Sequence, residues 1–332
     1  MKSLFITLTS FFGILFFPFP SLEGNYHAWN DNQNDFIKTY SSKFAFNDNM
    51  NYINECKNNS WKLGQNKFTG FDHNFFQIYY KGYFPIFSKK PTYTIFNQTI
   101  PKNFDWRKQS IVAPVKDQQQ CGSCWAFSAV SALESQVMKL TKTKISLSEQ
   151  EMIDCVKNIV SPDGSMTCCS GCMGGEMYAV YQYLMKKQDG KDDTEQKYPY
   201  LAQDGQCKPL NNSVTSVKLT NYVSLNAGNE EMMLNALYHV GPLSVGVDAN
   251  QDWQLYSKGI YNPTEQQCSS DPEMQDHGVA VVGYGTSNGL DYWIVRNSWG
   301  KDWGENGYMR IIRGKNACGI ANSAIYPVVE KV

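Results

Sequence analysis

Histidine is scarce in this chain, with four in 332 residues. Chemistry that needs an imidazole must draw on His27, His73, His239 or His277. Charge excess is lacking too: 30 Lys and Arg stand against 31 Asp and Glu. That balance offers nothing to a polyanion, so nucleic-acid binding is not expected. After the N-terminus no apolar run approaches the ~20 residues that span a bilayer, and no membrane span is expected in the mature chain. The one early run, Leu4–Phe17 behind Lys2, is short for a span and is closed by Pro18 and Pro20. It reads as a secretory signal, 1–24, cut near Gly24, with a short membrane anchor as the alternative. Cysteine, by contrast, is plentiful at ten residues, as a secretory route permits. The cluster Cys168-Cys169-Ser170-Gly171-Cys172 has no fourth ligand at zinc spacing, so neither metal nor other cofactor is expected.

The composition, 42% hydrophobic and 18% charged, suits a globular chain long enough for two ordinary domains. Its centre is the stretch Gln118-Gln119-Gln120-Cys121-Gly122-Ser123-Cys124-Trp125. Directly afterwards Phe127, Val130, Leu133, Val137 and Leu140 recur at helical steps. Cys124 therefore stands where a helix begins, and the unpaired amides and dipole there favour a thiolate. The alternative is a structural or redox Cys-x-x-Cys, but no βαβ pattern surrounds it. Ahead of this stretch, Phe36, Tyr40, Phe44, Met50 and Ile53 keep helical spacing in a segment without chemistry. Its position, between a signal and a catalytic unit, is that of an inhibitory pro-segment. Residues 156–167 read as a loop, with Pro162, Asp163 and Gly164 marking a turn. Gly174 and Gly175 allow a backbone to approach closely.

Past Tyr200 the pattern turns to strands: Val214–Val223, Leu243–Val247, Val279–Tyr284, Tyr292–Val295 and Tyr308–Ile312, with a helix at Glu230–His239. A helical half and a strand half suggest α+β with two lobes. The base follows by elimination. His27 and His73 would leave with the pro-segment, and His239 ends an amphipathic helix and reads as structural. His277 opens the strand run His-Gly-Val-Ala-Val-Val-Gly-Tyr, where a side chain can face a cleft. Asn297 can fix its ring by a hydrogen bond, and Trp299 can shield that bond from water.

Cys121-Gly-Ser-Cys124-Trp125, Asp276-His277-Gly278 and Asn297-Ser-Trp-Gly300 occur in order, beside Gly171-Cys-Met-Gly-Gly175 and Gly241-Pro-Leu-Ser-Val245. In these motifs the chain resembles the papain-like cysteine peptidases, cathepsin L-like branch, over residues 36–327. His277 lies 153 residues after Cys124, near the ~130–150 of that family, and the added 156–167 loop accounts for the extra length. Lys43, Phe46, Asn49 and Ile53 match the family's helical propeptide motif, with Thr39 and Lys57 replacing its ends. Gly64-x-Asn66-x-Phe68 matches a second motif, with Gly70 where the family has Asp. Pro101–Trp106 resembles the start of the family's mature chain.

The resemblance implies a papain-like two-lobed fold behind a mainly helical propeptide, 25–100. The mature peptidase, 101–332, would comprise a helical left lobe to about 210 and an antiparallel β-barrel-like right lobe, with the active-site cleft between them. It implies a zymogen of a cysteine endopeptidase that forms a thioacyl-enzyme on Cys124, with His277 as acid/base, Asn297 orienting it, and Gln118 with a backbone N–H holding the oxyanion. The family usually has Gly where this chain has Gln119. Substrate binding would fall to Gly174, Gly175, Met177 and Gly246, and to Gln275, Asp276, Trp299 and Ser323. Of these, Met177, Gly246, Gln275 and Ser323 would line the pocket for the second residue before the cut, with a preference for Leu, Val or Phe. Implied disulfides are Cys121–Cys172, Cys155–Cys207 and Cys268–Cys318. Cys56 is left over, and Cys168 and Cys169 either pair together or offer Cys121 another partner. Absence of a histidine at 156–171 argues against the occluding loop of the cathepsin B branch. Alternatives are an inactive binding or storage homologue, a disulfide oxidoreductase, or a transpeptidase sharing the site. Expected partners are protein and peptide substrates and the chain's own propeptide, with the enzyme a monomer in a lysosome, another acidic vacuole, or outside the cell. Asn58, Asn97 and Asn211 head glycosylation sequons.

Overall fold

The computed structural model describes residues 43–58, 60–85, 93–161, 164, 167–208 and 216–332. The expected signal, the first part of the propeptide motif and the sequon at Asn211 lie outside the described residues. No helix among the described residues is long and apolar enough to cross a membrane.

The segment ahead of the catalytic unit is folded onto it. Helix α1 (Lys43–Glu55) is tied down by Asn49, whose buried amide donates to the carbonyls of Thr69 and Phe71 at 3.0 and 2.9 Å. Strand β1 (Trp61–Leu63) adds antiparallel to β7 (Tyr256–Tyr261), filling a sheet edge. Helix α2 (His73–Tyr80) starts at Asp72, whose carboxylate accepts from the amides of Asn74 and Phe75. Strand β2 (Phe104–Asp105) then pairs with β8 (His277–Ser287).

The helical half holds α3 (Cys124–Thr141), α4 (Glu149–Cys155) and α5 (Met177–Lys187). Helix α3 is buried on every side from Cys124 to Met138. Ala126, Ser128, Ala129, Ser131, Ala132 and Ser135 keep its surface narrow, which lets α5, β8 and β11 (Ile325–Lys331) approach it together. The stretch expected as a loop is instead an antiparallel hairpin of β3 (Lys157–Val160) and β4 (Thr167–Ser170). Its short strands are mostly exposed, and Asn158 and Cys169 take left-handed backbone. No alternation of apolar residues therefore marks it in the sequence.

The second half adds β5 (Val217–Ser224), α6 (Glu230–His239), β6 (Leu243–Val247), α7 (Gln251–Leu255), β9 (Leu290–Arg296) and β10 (Tyr308–Ile312). The sheet runs β1-β7-β10-β9-β8-β6-β11-β5, with β2 on β8. Neighbours are antiparallel except β10 and β7. Register matters at one end. Val247 on β6 faces His277, the first residue of β8, and Ala280 faces Arg296, the last of β9. The start of β8 and the exit of β9 thus share one edge of the sheet.

Near α4, Asp192 and Glu151 are buried side by side. Neither oxygen of Asp192 meets a hydrogen-bond donor, and a shared proton would satisfy the pair. Burial, then the Glu151 charge, holds the Asp192 carboxyl well above the usual range; burial raises Glu151 to about 6. The folded chain keeps a proton that an unfolded carboxyl releases near pH ~4. Stability from this pair is therefore full below about pH 4 and falls as pH rises, the Glu151 share through about 6 and the Asp192 share above it. Thermal midpoints are expected to fall from about pH 4.5 to about pH 7.5, and Asp192→Asn, which needs no proton, to flatten that slope. An unchanged slope in the variant would exclude the shared proton.

Candidate active site

Cys124 opens α3 with its side chain fully buried, and the nearby backbone N–H groups of Gly278 and Trp125 only partly offset the burial that disfavours a thiolate. Ser123 makes no side-chain cap for the helix, because its hydroxyl meets Tyr200 Oη at 2.9 Å. One turn on, Ser128 donates to the Val279 carbonyl at 2.6 Å. Helix and strand are thereby pinned where Cys124 and His277 stand.

His277 Nε2 lies 2.9 Å from Asn297 Oδ1, which also accepts from the Ser298 amide at 2.8 Å. An acceptor at Nε2 puts the proton on that nitrogen and leaves a lone pair on Nδ1. Nδ1 is buried and meets no hydrogen-bond partner. Trp299 stacks on the imidazole, centroids 4.4 Å apart. Gln118 is held at both ends of its amide: Oε1 accepts from Ser298 Oγ at 2.6 Å, and Nε2 donates to Cys121 O at 2.9 Å and Tyr80 O at 3.2 Å. Gln119 turns outward at φ 52°, a left-handed conformation suited to glycine.

Residues 80–84 of the N-terminal segment occupy the cleft. The Tyr80 carbonyl also accepts from Trp299 Nε1 at 3.0 Å. Lys81, almost wholly buried, pairs with Asp276 Oδ2 at 2.7 Å. The amides of Gly82 and Tyr83 both donate to the Asp276 carbonyl. Gly175 N donates to Gly82 O at 2.9 Å and Phe84 N donates to Gly175 O at 3.1 Å, a parallel bridge. Gly82, at φ 145°, passes so close that a Cβ would lie 2.1 Å from Gly122 O. Behind this run Phe68 and Phe76 pack edge-on against Trp299 at 5.7 and 4.9 Å.

The other residues singled out divide. Gly174 and Gly246 leave room for the rings of Phe84 and Tyr83. Gly175 also sits against the Trp125 ring, which a Cβ would meet at 2.6 Å. Gln275 is a buried brace: Nε2 donates to Gly246 O and Gly319 O, and Oε1 accepts from Ser323 Oγ. Met177 lies wholly buried in the core of the helical half, a cluster that also contains Tyr83. The sequence reading missed Glu176, which meets Tyr83 Oη at 3.1 Å, and Ser298, which aims Gln118. A carboxylate directly after the glycine pair was the available signal for the first. Disulfides join Cys121–Cys172, Cys155–Cys207, Cys268–Cys318 and Cys168–Cys169, leaving Cys56 and Cys124 free. Bonded to Cys172, Cys121 forms no redox pair with Cys124. Asn58 is half-buried, its Oδ1 accepting from Ser60, and Asn97 is exposed.

Residues 100–328 match the family model described as papain family cysteine protease. The chain belongs to the papain family of cysteine proteases. A cathepsin L-like proteinase of Fasciola hepatica is 42% identical over 277 residues, 82% of this chain and 80% of its own. Cathepsin L2 of Homo sapiens is 46% identical over 237 residues, 69% of this chain and 66% of its own. Among solved structures, digestive procathepsin L 3 of Tenebrio molitor larval midgut superimposes with TM-score 0.75 at 35% identity, covering 91% of this chain and 98% of its own. The recombinant stem bromelain precursor gives 0.74 at 32%, covering 91% and 97%. This papain-family chain is thus a cysteine endopeptidase in zymogen form, with a propeptide ahead of the peptidase unit.

In the zymogen the covered cleft acts on both reacting groups. Burial pushes the Cys124 thiol up to about 12 and the His277 imidazole down to about 3. Thiolate forms only as pH climbs toward the first value, and imidazolium only as it falls toward the second. Between them both groups are neutral. Iodoacetamide should therefore label Cys124 of the intact zymogen slowly near pH 6, with a rate that climbs about tenfold per pH unit toward pH 9. Removing the propeptide should speed labelling at least ~100-fold near pH 6, scored by peptide mapping because Cys56 is also free. Equal rates before and after removal would refute this.

Proposed function

We propose that Cys124, His277, Asn297 and Gln118 carry the hydrolysis. With the cleft open to water, Cys124 passes its proton to His277 Nδ1 and the thiolate attacks the scissile carbonyl. Gln118 Nε2 and the Cys124 backbone N–H receive the oxyanion. The imidazolium protonates the leaving amine, then the ring takes a proton from the water that cleaves the thioester. Asn297 holds the tautomer and Trp299 shields the bond between them. The observation carrying this reading is the geometry of His277: Nε2 on Asn297 and Nδ1 bare, on the strand that the Ser128 hydroxyl pins to the helix opened by Cys124.

We infer that the mature chain starts between about Thr99 and Asn103. The enzyme would work in an acidic compartment of the secretory route, a setting that suits four disulfides and a carboxyl pair stabilised by acid.

Cys124→Ala is expected to abolish turnover of a Phe-Arg peptide while leaving the thermal midpoint near wild type; normal turnover would refute the nucleophile. Gln118→Ala should lower kcat on the order of a hundredfold with a smaller change in KM. For the inhibitory role, Lys81→Ala removes the cation that faces Asp276. The unprocessed zymogen should then hydrolyse the peptide on the order of tenfold faster. No gain in that initial rate would show that the ion pair does not hold the segment down.

A further inference from the structure

Tyr83 shows what one slot of the cleft is shaped to hold. Its ring lies where a Cβ on Gly246 would come within 2.3 Å of it, so glycine there opens a flat space. The ring belongs to the buried cluster that contains Cys124, Trp125 and Met177. At the far end the phenol donates to Glu176 Oε1 at 3.1 Å, with Ser323 close by. Glu176 is only 3% exposed, and its other oxygen accepts from the Tyr178 amide. The carboxylate is therefore built into the start of α5 and cannot swing away without uncapping it.

We infer that this slot is a subsite for a substrate tyrosine, with Glu176 as the acceptor of its hydroxyl. The inference rests on the peptidase reading above and assigns the slot to the second residue before the cut. Shape and chemistry agree. A leucine or valine brings no donor to a buried carboxylate and leaves the flat space unfilled. Phenylalanine fills the space but also lacks the donor. Arginine would place a full cation deep in the slot, at a desolvation cost that a neutral phenol avoids. With Glu176 facing the pocket, tyrosine takes the place of the Leu, Val or Phe that the family resemblance implies.

Matured enzyme, its concentration set by titrating Cys124 with a thiol-directed probe, is given peptides differing only at that position: Tyr, Phe, Leu or Arg. Tyr is expected to exceed Phe in kcat/KM on the order of tenfold, and Glu176→Leu to bring the ratio near one, with Glu176→Gln between. A ratio near one in the wild type, a ratio the variants do not move, or preference for Arg would overturn the subsite and leave the peptidase reading intact. Failure to cleave any peptide would instead strike that reading. The contact is then read without turnover: Tyr83→Phe in the full-length zymogen should raise Cys124 labelling on the order of tenfold. Unchanged labelling would count against the hydroxyl contact.

Discussion

The hydrogen bond between His277 Nε2 and Asn297 Oδ1 decides what the rest of the site can do. It assigns the ring proton and so leaves the opposite nitrogen able to accept one. The bond exists because β8 and β9 are antiparallel, which brings the first residue of one and the residue after the other to a common edge. Trp299, two residues on, stacks over the ring and keeps water from competing. Ser298, between them, orients Gln118. Three consecutive residues thus hold the His277 ring, aim the Gln118 amide and cover the imidazole.

The propeptide lies along the cleft and takes up the polar groups that line it. One carbonyl, that of Tyr80, takes the side-chain donors of both Gln118 and Trp299. Gly175 exchanges its amide and its carbonyl with the same strand. Phe76 of α2 packs edge-on with Trp299. Burial then does the electrostatic part: out of water, the neutral thiol and neutral imidazole are favoured over the ion pair, so occupancy suppresses chemistry as well as access.

Much of this was legible in residues whose chemistry is local. A cysteine at a helix start, a histidine at a strand start and an asparagine before a tryptophan keep their meaning without coordinates, and the helix does begin at Cys124. Gln119 shows the limit. Only its φ of 52° explains why the side chain turns outward and leaves Gln118 to face the cleft. The β3–β4 hairpin shows another, since short strands that bury no apolar face leave no period to detect. Glu176 shows a third, since its place before a helix accounts for one carboxylate oxygen and says nothing of where the other points.

The order of motifs along the chain by itself determined the class of chemistry, because nucleophile, base and orienting amide are each a particular side chain in a particular local setting. The tertiary structure alone decided which imidazole nitrogen is bare, which carbonyl meets the Gln118 amide, and whose ring fills the slot against Gly246. Those are contacts between residues far apart in sequence. They depend on strand register and on the direction of side chains across a packed interface, neither of which is encoded within any one motif.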